Sequence, residues 1–184
     1  DVDFENRLHW RFQPKRLSAE AIRDAVLTVA GTLNHHMGGP GFRDFEVEQR
    51  YAPIYRYTDL PDSTTWRRSI YRFSVRSVPH PFMDVLDCPN PSTASPKRNQ
   101  TTTALQSLAM FNDSFTLDQA RYFSIRLQAM GQDETELIRH AFLYAFGREP
   151  TAEEEARAME VIQRHGLEPL CRALINANEF IYVD

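Results

Sequence analysis

The 184-residue sequence predicts a mainly α fold, in which a C-terminal helical bundle follows a Pro-rich, irregular middle containing a small antiparallel β element. Three observations carry that prediction. Apolar residues recur at helical spacing in most segments outside residues 51–100. Several of those segments open on a Ser, Thr or Asp placed to cap a helix. Seven of the 11 prolines fall within residues 51–100 (Pro53, Pro61, Pro79, Pro81, Pro89, Pro91 and Pro96), and proline donates no N–H to a helix or a sheet. The chain reads as a single-domain fragment over residues 1–184. Residues 1–50 hold an N-terminal helix and loops, residues 51–100 the Pro-rich segment with a short strand, and residues 101–184 the bundle.

The N-terminal helix starts at Ser18, whose hydroxyl can accept from the first turn. Glu20 places negative charge near the positive helix end, and Leu17 with Ile22 has the spacing of a hydrophobic staple. Ile22, Val26, Val29 and Leu33 form its buried stripe, and Gly38, Gly39, Pro40 and Gly41 are expected to end it. In the middle, Arg67 to about Arg76 reads as a strand. Tyr71, Phe73 and Val75 alternate onto one face, and Arg68, Arg72 and Arg76 onto the other. Residues 45–51 alternate similarly and are expected to pair with it.

Four or five helices are expected in the last part. Ala104, Leu105, Leu108 and Phe111 make the first stripe, with Thr101 or Thr102 as cap. Leu117, Ala120, Phe123 and Leu127 point inward from the second. Asp133 with Glu136 opens a third that buries Leu137, Ile138, Ala141, Phe142 and Ala145 and stops at Gly147. Thr151 with Glu154 has capping-box spacing and opens a fourth with Ala156, Met159 and Ile162 inward. After Gly166, a last helix repeats Leu167, Leu170, Cys171, Leu174 and Ile175. Short connections imply antiparallel neighbours.

The formal charge of −4 argues against a general nucleic-acid-binding domain, which is strongly basic as a rule. No run approaches the roughly 18 continuous apolar residues of a membrane span. The chain opens on Asp1 without an initiator Met, and is expected to be an excised piece of a larger protein. Cys88 and Cys171 allow one disulfide or two free thiols, and the position of Cys171 on an apolar stripe predicts burial. No Cys-x-x-Cys occurs, so neither a zinc ribbon nor covalent c-type haem is expected in this chain.

Candidate chemistry centres on the middle. A row of Arg68, Arg72 and Arg76 on one strand face would span about 26 Å. Together with Arg98 and Asn99 it is a candidate site for an anion or a carboxylated or sulfated glycan, because guanidinium forks match oxyanions bidentately. The plainer expectation is that these arginines pair with the chain's own Asp and Glu or face water. His80, Asp84 and Asp87 are weak candidates for a metal set, since positions 80, 84 and 87 share a helix face. Pro79 and Pro81 disfavour helix at His80 itself. His35 and His36 are adjacent, diverge on a helix, and read as cap contacts. Gln106 is expected to satisfy loop backbone groups. Trp10, Trp66, Tyr51, Tyr55 and Tyr57 could stack on sugars but more often such rings fill cores. No Gly-x-Ser-x-Gly, P-loop or Gly-x-Gly-x-x-Gly is present, and no catalytic residue is assigned.

Several segments resemble one family in order. They are residues 14–24, Met37-Gly38-Gly39-Pro40, Arg67-Arg68-Ser69-Ile70-Tyr71, Arg98-Asn99-Gln100-Thr101-Thr102, Gln106-Ser107-Leu108, Phe146-Gly147-Arg148 and the closing Asn178-Glu179-Phe180. The chain is similar to the planctomycete-type domain of unknown function 1553, also called the PSD domain. The resemblance implies an exported, periplasmic or cell-surface setting at the C-terminal end of a large multidomain protein. It implies upstream domains that often include a cytochrome-c-like one, so haem c would belong to upstream sequence and no cofactor to this chain. It carries no agreed activity. The reading is therefore a non-catalytic accessory or interaction domain, linked to polysaccharide processing, whose partners are other domains of the same protein. Two alternatives stand beside it. One is part of a glycan-active site, with Arg68, Arg72, Arg98 and Asp84 or Asp87 around an anionic polysaccharide. The other is a docking surface for the cytochrome-c-like domain.

Overall fold

The computed structural model describes residues 3, 5–12, 14–58 and 63–183. Pro61 lies outside the described residues. The fold is mainly α: eight α-helices and two small two-stranded antiparallel sheets are present among the described residues.

Helix α1 (Ala19–Ala30) is capped by Ser18, whose side chain accepts from the Ala21 N–H at 3.3 Å. It ends at Gly31, not at the 38–41 cluster. Gly31 takes the left-handed conformation (φ 76°) and its N–H reaches back to the Leu27 and Thr28 carbonyls, so the terminal carbonyls are satisfied one turn after Leu27. Gly38 and Gly39 do adopt positive φ, but in the following loop. Ile22, Val26 and Leu27 are fully buried, each contributing about 1.5–3 kcal/mol relative to exposure.

The bundle consists of α3 (Ala104–Asn112), α4 (Ser114–Gln128), α5 (Glu134–Phe146), α6 (Ala152–His165) and α7 (Leu167–Ile175). Helix α4 is central and packs against α1 and α7. Phe123 and Leu127 of α4, Ile138 of α5, and Cys171 and Ile175 of α7 are all fully buried. Asp113 caps α4 by accepting from Phe115, and Asp133 caps α5 by accepting from Thr135. Thr151 and Glu154 form both bonds of a capping box at α6. Gly147 ends α5 at φ 73°. Helix α6 lies at the edge: only Ala158 is fully buried, Met159 and Ile162 are partly covered, and Ala156 is exposed.

Further expectations change. The α3 stripe faces outward, with Leu105 63%, Leu108 60% and Phe111 42% exposed, while Gln106 and Met110 face the core. The α3 cap is Thr103, in a capping box with Gln106, and not Thr101 or Thr102. Residues 67–76 are not a continuous strand. They make isolated bridges at Arg67, Arg72 and Val75 around a 3-10 turn at Ser69–Tyr71. The segment Phe45–Glu48 (β2) instead pairs with Ile54–Tyr57 (β3) as a hairpin.

A second small sheet joins the ends of the chain. Lys15–Arg16 (β1) pairs with Tyr182–Val183 (β4), which follows α8 (Asn178–Ile181). The middle is completed by one short helix, α2 (Pro81–Val85), which starts on a proline at its first turn where the missing N–H costs nothing.

Arginines fasten the irregular middle to the bundle. Arg23, 3% exposed, donates from α1 to the Arg67 and Thr65 carbonyls at 2.9 and 2.6 Å. Arg67 donates to Pro40, His36 and Gly38 carbonyls at 2.7, 3.2 and 2.6 Å, with its guanidinium 4.3 Å from the Tyr71 ring centroid. A proline-rich segment lacks internal backbone partners, so a five-donor fork is an efficient way to satisfy its carbonyls. Among the described residues no helix is long and apolar enough to cross a membrane.

Candidate functional site

The middle segment folds over α2 and encloses a cavity of about 160 Å³ between residues 72–80, α2 and the turn at 88–91. Its lining includes Arg72, Arg76, His80, Met83, Asp84 and Cys88. Four of these were candidate residues in the sequence. The fold brings them together by chain reversal at Val75–Val78, and not by strand alternation.

Each charged group has a distinct state. Arg72 donates from Nε to Asp44 Oδ2 at 2.6 Å and from Nη2 to the Val78 carbonyl at 3.3 Å; its side chain and that of Asp44 are 8% and 6% exposed. Arg76 is exposed and makes no hydrogen bond or ion pair among the described residues. Asp84 is exposed at the rim. His80 is 6% exposed, and its Nδ1 is buried without a partner among the described residues. Burial, and then the charges of Arg23 and Arg72, lower the His80 pKa to about 3, so the ring is neutral near pH 7. The Asp44 carboxylate is 3.9 Å from Nε2. That is too long for a hydrogen bond, and Asp44 is already neutralised by Arg72, so it does not hold a proton on the ring. Cys88 is half-buried and free, and burial, assisted by Glu20, raises its pKa. Cys171 is also free and fully buried. Both thiols are therefore protonated and weakly nucleophilic.

The other candidates lie elsewhere. Arg68 is exposed and 3.7 Å from Asp24. Asp24 itself accepts from the Ser69 N–H and hydroxyl, both at 2.7 Å. Arg98 pairs with Glu20 at 2.7 Å, and Asn99 is exposed on the 97–103 loop. Because the segment turns at Ser69–Tyr71, Arg68, Arg72 and Arg76 form no common row. His80, Asp84 and Asp87 do not converge either, and among the described residues no group of three or more His, Cys, Asp or Glu is placed to hold a metal ion.

Asp87 belongs to a separate junction. It adopts a left-handed conformation (φ 64°) and accepts from Arg16 at 2.6 Å, from the Thr101 N–H at 2.7 Å and from Gln106 Nε2 at 3.1 Å. Burial raises its pKa, but the Thr101 and Arg16 bonds outweigh that and the net shift is downward. Arg16 also donates to the Thr101 and Leu86 carbonyls and to Gln106 Oε1. This network ties β1, the turn after α2 and the start of α3 together. Apart from Arg16 Nε, which is buried without a partner among the described residues, the donors and acceptors named here meet within the chain, as in a structural joint.

Sequence reasoning missed Asp44, Arg16 and Arg23 as organisers. A signal existed for Arg23: it sits between Ile22 and Val26 on the buried side of α1, where an arginine requires partners. Asp44 and Arg16 lie in irregular segments and carry no periodic signal.

No curated protein and no solved structure matches the chain. One family model does, and it spans residues 1–162 of the 184, ending within α6. The chain belongs to that family, PSD1, described as a protein of unknown function (DUF1553).

Proposed function

We propose that this chain is a non-catalytic accessory domain that packs on other domains of a longer, exported polypeptide through the outer face of α3. One observation carries the reading. Leu105, Leu108 and Phe111 recur at three-residue spacing and are 63%, 60% and 42% exposed, so α3 presents an apolar stripe to solvent while burying Gln106. Covering such side chains is worth about 1.5–3 kcal/mol each when burial is complete, and an unpartnered stripe of this kind marks an interaction surface. Arg172 holds the stripe in place. It donates to the Phe111 carbonyl at 2.8 Å and stacks 3.7 Å from the Phe111 ring centroid.

On this reading, which the resemblance noted in the sequence motivates, the setting is a periplasmic or cell-surface protein, with a cytochrome-c-like domain among the candidate neighbours and a link to polysaccharide processing. Any haem would be held by that neighbour. Hydrogen–deuterium exchange on this chain alone and within the longer polypeptide tests the reading. Amides of residues 104–112 should exchange more slowly in the longer protein, and Leu105→Asp with Leu108→Asp should abolish that protection while leaving α4 and α7 unchanged. Equal exchange of α3 in both contexts would refute it.

A further inference from the structure

A groove of about 630 Å³ opens where β1, the first turn of α1, the 97–100 loop and Val183 of β4 meet. Three contacts set its walls. Lys15 pairs with Val183 across the two-stranded sheet. Arg98 reaches Glu20 of α1 at 2.7 Å, and the Gln100 side-chain amide donates to the Arg16 carbonyl at 3.5 Å. The volume lies within the range of about 300–1,000 Å³ usual for small-molecule sites.

The floor of the groove is apolar and reachable from solvent. Phe12, Leu17, Ala21 and Val183 line it. Phe12 and Val183 are 64% and 47% exposed, and Leu17 and Ala21 are half-buried. Covering such a surface with an apolar body is favourable. The rest of the lining is unbalanced in charge. Lys15, Arg16, Lys97 and Arg98 contribute to it, and among the described residues no carboxylate does. Two of these cations are neutralised by acids just outside the groove: Arg98 by Glu20, and Arg16 by Asp87 at 2.6 Å. Strand β1 turns Arg16 inward and Lys15 outward. Lys15 and Lys97 are exposed, and their ammonium groups make no hydrogen bond or ion pair among the described residues. Glu5 lines the adjoining groove that shares Phe12 and Lys15, and it is held by Arg7. With Glu20 and Asp87 counted, the positive charges of Lys15 and Lys97 remain over, in a chain whose formal charge is −4.

The geometry points to a binding site for an amphipathic anion: an apolar body of several carbons lies on Phe12, Leu17 and Val183, and its single charged end meets the Lys15 and Lys97 ammonium groups. Lysine offers a point charge on a flexible stem and no fixed fork. The site therefore selects for one negative charge joined to an apolar body, and not for a particular oxyanion. It shares no residue with the α3 stripe and stands or falls independently of it.

The test is titration of the chain at pH 7 with three matched probes, followed by NMR of the Phe12 ring, the Leu17 and Val183 methyl groups and the Lys97 side chain. The probes are octanoate, octylammonium, which keeps the tail and reverses the charge, and acetate, which keeps the charge and lacks the tail. Octanoate should saturate at millimolar concentration and shift all four signals. Octylammonium and acetate should each bind at least about tenfold more weakly. The double variant Lys15→Gln, Lys97→Gln should weaken octanoate by about fivefold or more and leave octylammonium no weaker than before. Both lysines are exposed and unpaired, so their substitution leaves the fold intact. Leu105→Asp with Leu108→Asp should leave octanoate binding unchanged. The proposal is overturned by absence of saturation with octanoate at tens of millimolar, by equal binding of octanoate and octylammonium, or by unchanged octanoate affinity in the lysine double variant. Loss of octanoate binding in the α3 variant would place the ligand on that stripe and overturn it equally.

Discussion

The Arg72 guanidinium lies 2.6 Å from the Asp44 carboxylate, with both side chains less than a tenth exposed. This buried pair joins the loop before β2 to the segment that walls the cavity, and Arg72 also reaches the Val78 carbonyl. Removing one partner leaves a charge in a poorly solvated site. Asp44→Asn should therefore destabilise the protein by about 3–5 kcal/mol, read from urea unfolding at pH 7. The double variant Asp44→Asn, Arg72→Met should cost clearly less than the sum of the two single changes, because no buried charge is then left unpaired. Additive costs would show the pair to be solvated.

Acid should weaken the fold before the carboxylates protonate. The folded-state pKa of His80 is lowered to about 3 from 6.5, by burial first and then by the charges of Arg23 and Arg72. Below about pH 6.5 the unfolded chain takes up a proton that the folded chain refuses, so stability falls as pH falls. Between pH 6.5 and 4.5 the His80 contribution should amount to about 2–3 kcal/mol. His80→Gln should flatten the stability profile in that window. An unchanged slope in the variant would assign the acid sensitivity to other groups.

Arg67 should resist conservative replacement. Its fork holds three carbonyls of the 36–40 loop and stacks on Tyr71, and an ammonium cannot reproduce that geometry. Arg67→Lys should cost about 2 kcal/mol or more, since each charge-assisted bond lost is worth about 1.5–3 kcal/mol and some are regained. The effect should be local, seen as faster amide exchange across residues 34–42 with little change in α7.

Gly31 is fixed by conformation and by space together. Its φ is 76°, and an added Cβ would lie 2.9 Å from the Arg126 Cδ. Arg126 in turn donates to the Thr28 and Val29 carbonyls at 3.0 and 2.8 Å. Gly31→Ala should lower stability by about 1–2 kcal/mol from the left-handed backbone alone, with more if the Arg126 bonds are displaced. Thermal unfolding of Gly31→Ala beside Arg126→Ala and the double variant separates the two contributions. A neutral Gly31→Ala would contradict the account.

What the sequence determined by itself was local. Ser18, Asp133 and the Thr151–Glu154 box start helices because their partners lie within four residues. The α5 and α7 stripes are buried as their spacing predicts, because one face of each helix is apolar and the other is not. Tertiary structure alone decided the outcome where the local signal was divided. Helix α3 has apolar residues on one side and Gln106 with Met110 on the other, and the Arg16–Asp87 junction drew the Gln106 side inward. The arginines of residues 67–76 alternate like a strand, but the carbonyls and carboxylates that hold Arg67 and Arg72 come from residues 36–44 and 78. Those partners are brought into place only by folding of the whole chain. The cavity follows from the same cause: its charged wall is assembled by long-range pairing, which sequence periodicity does not encode.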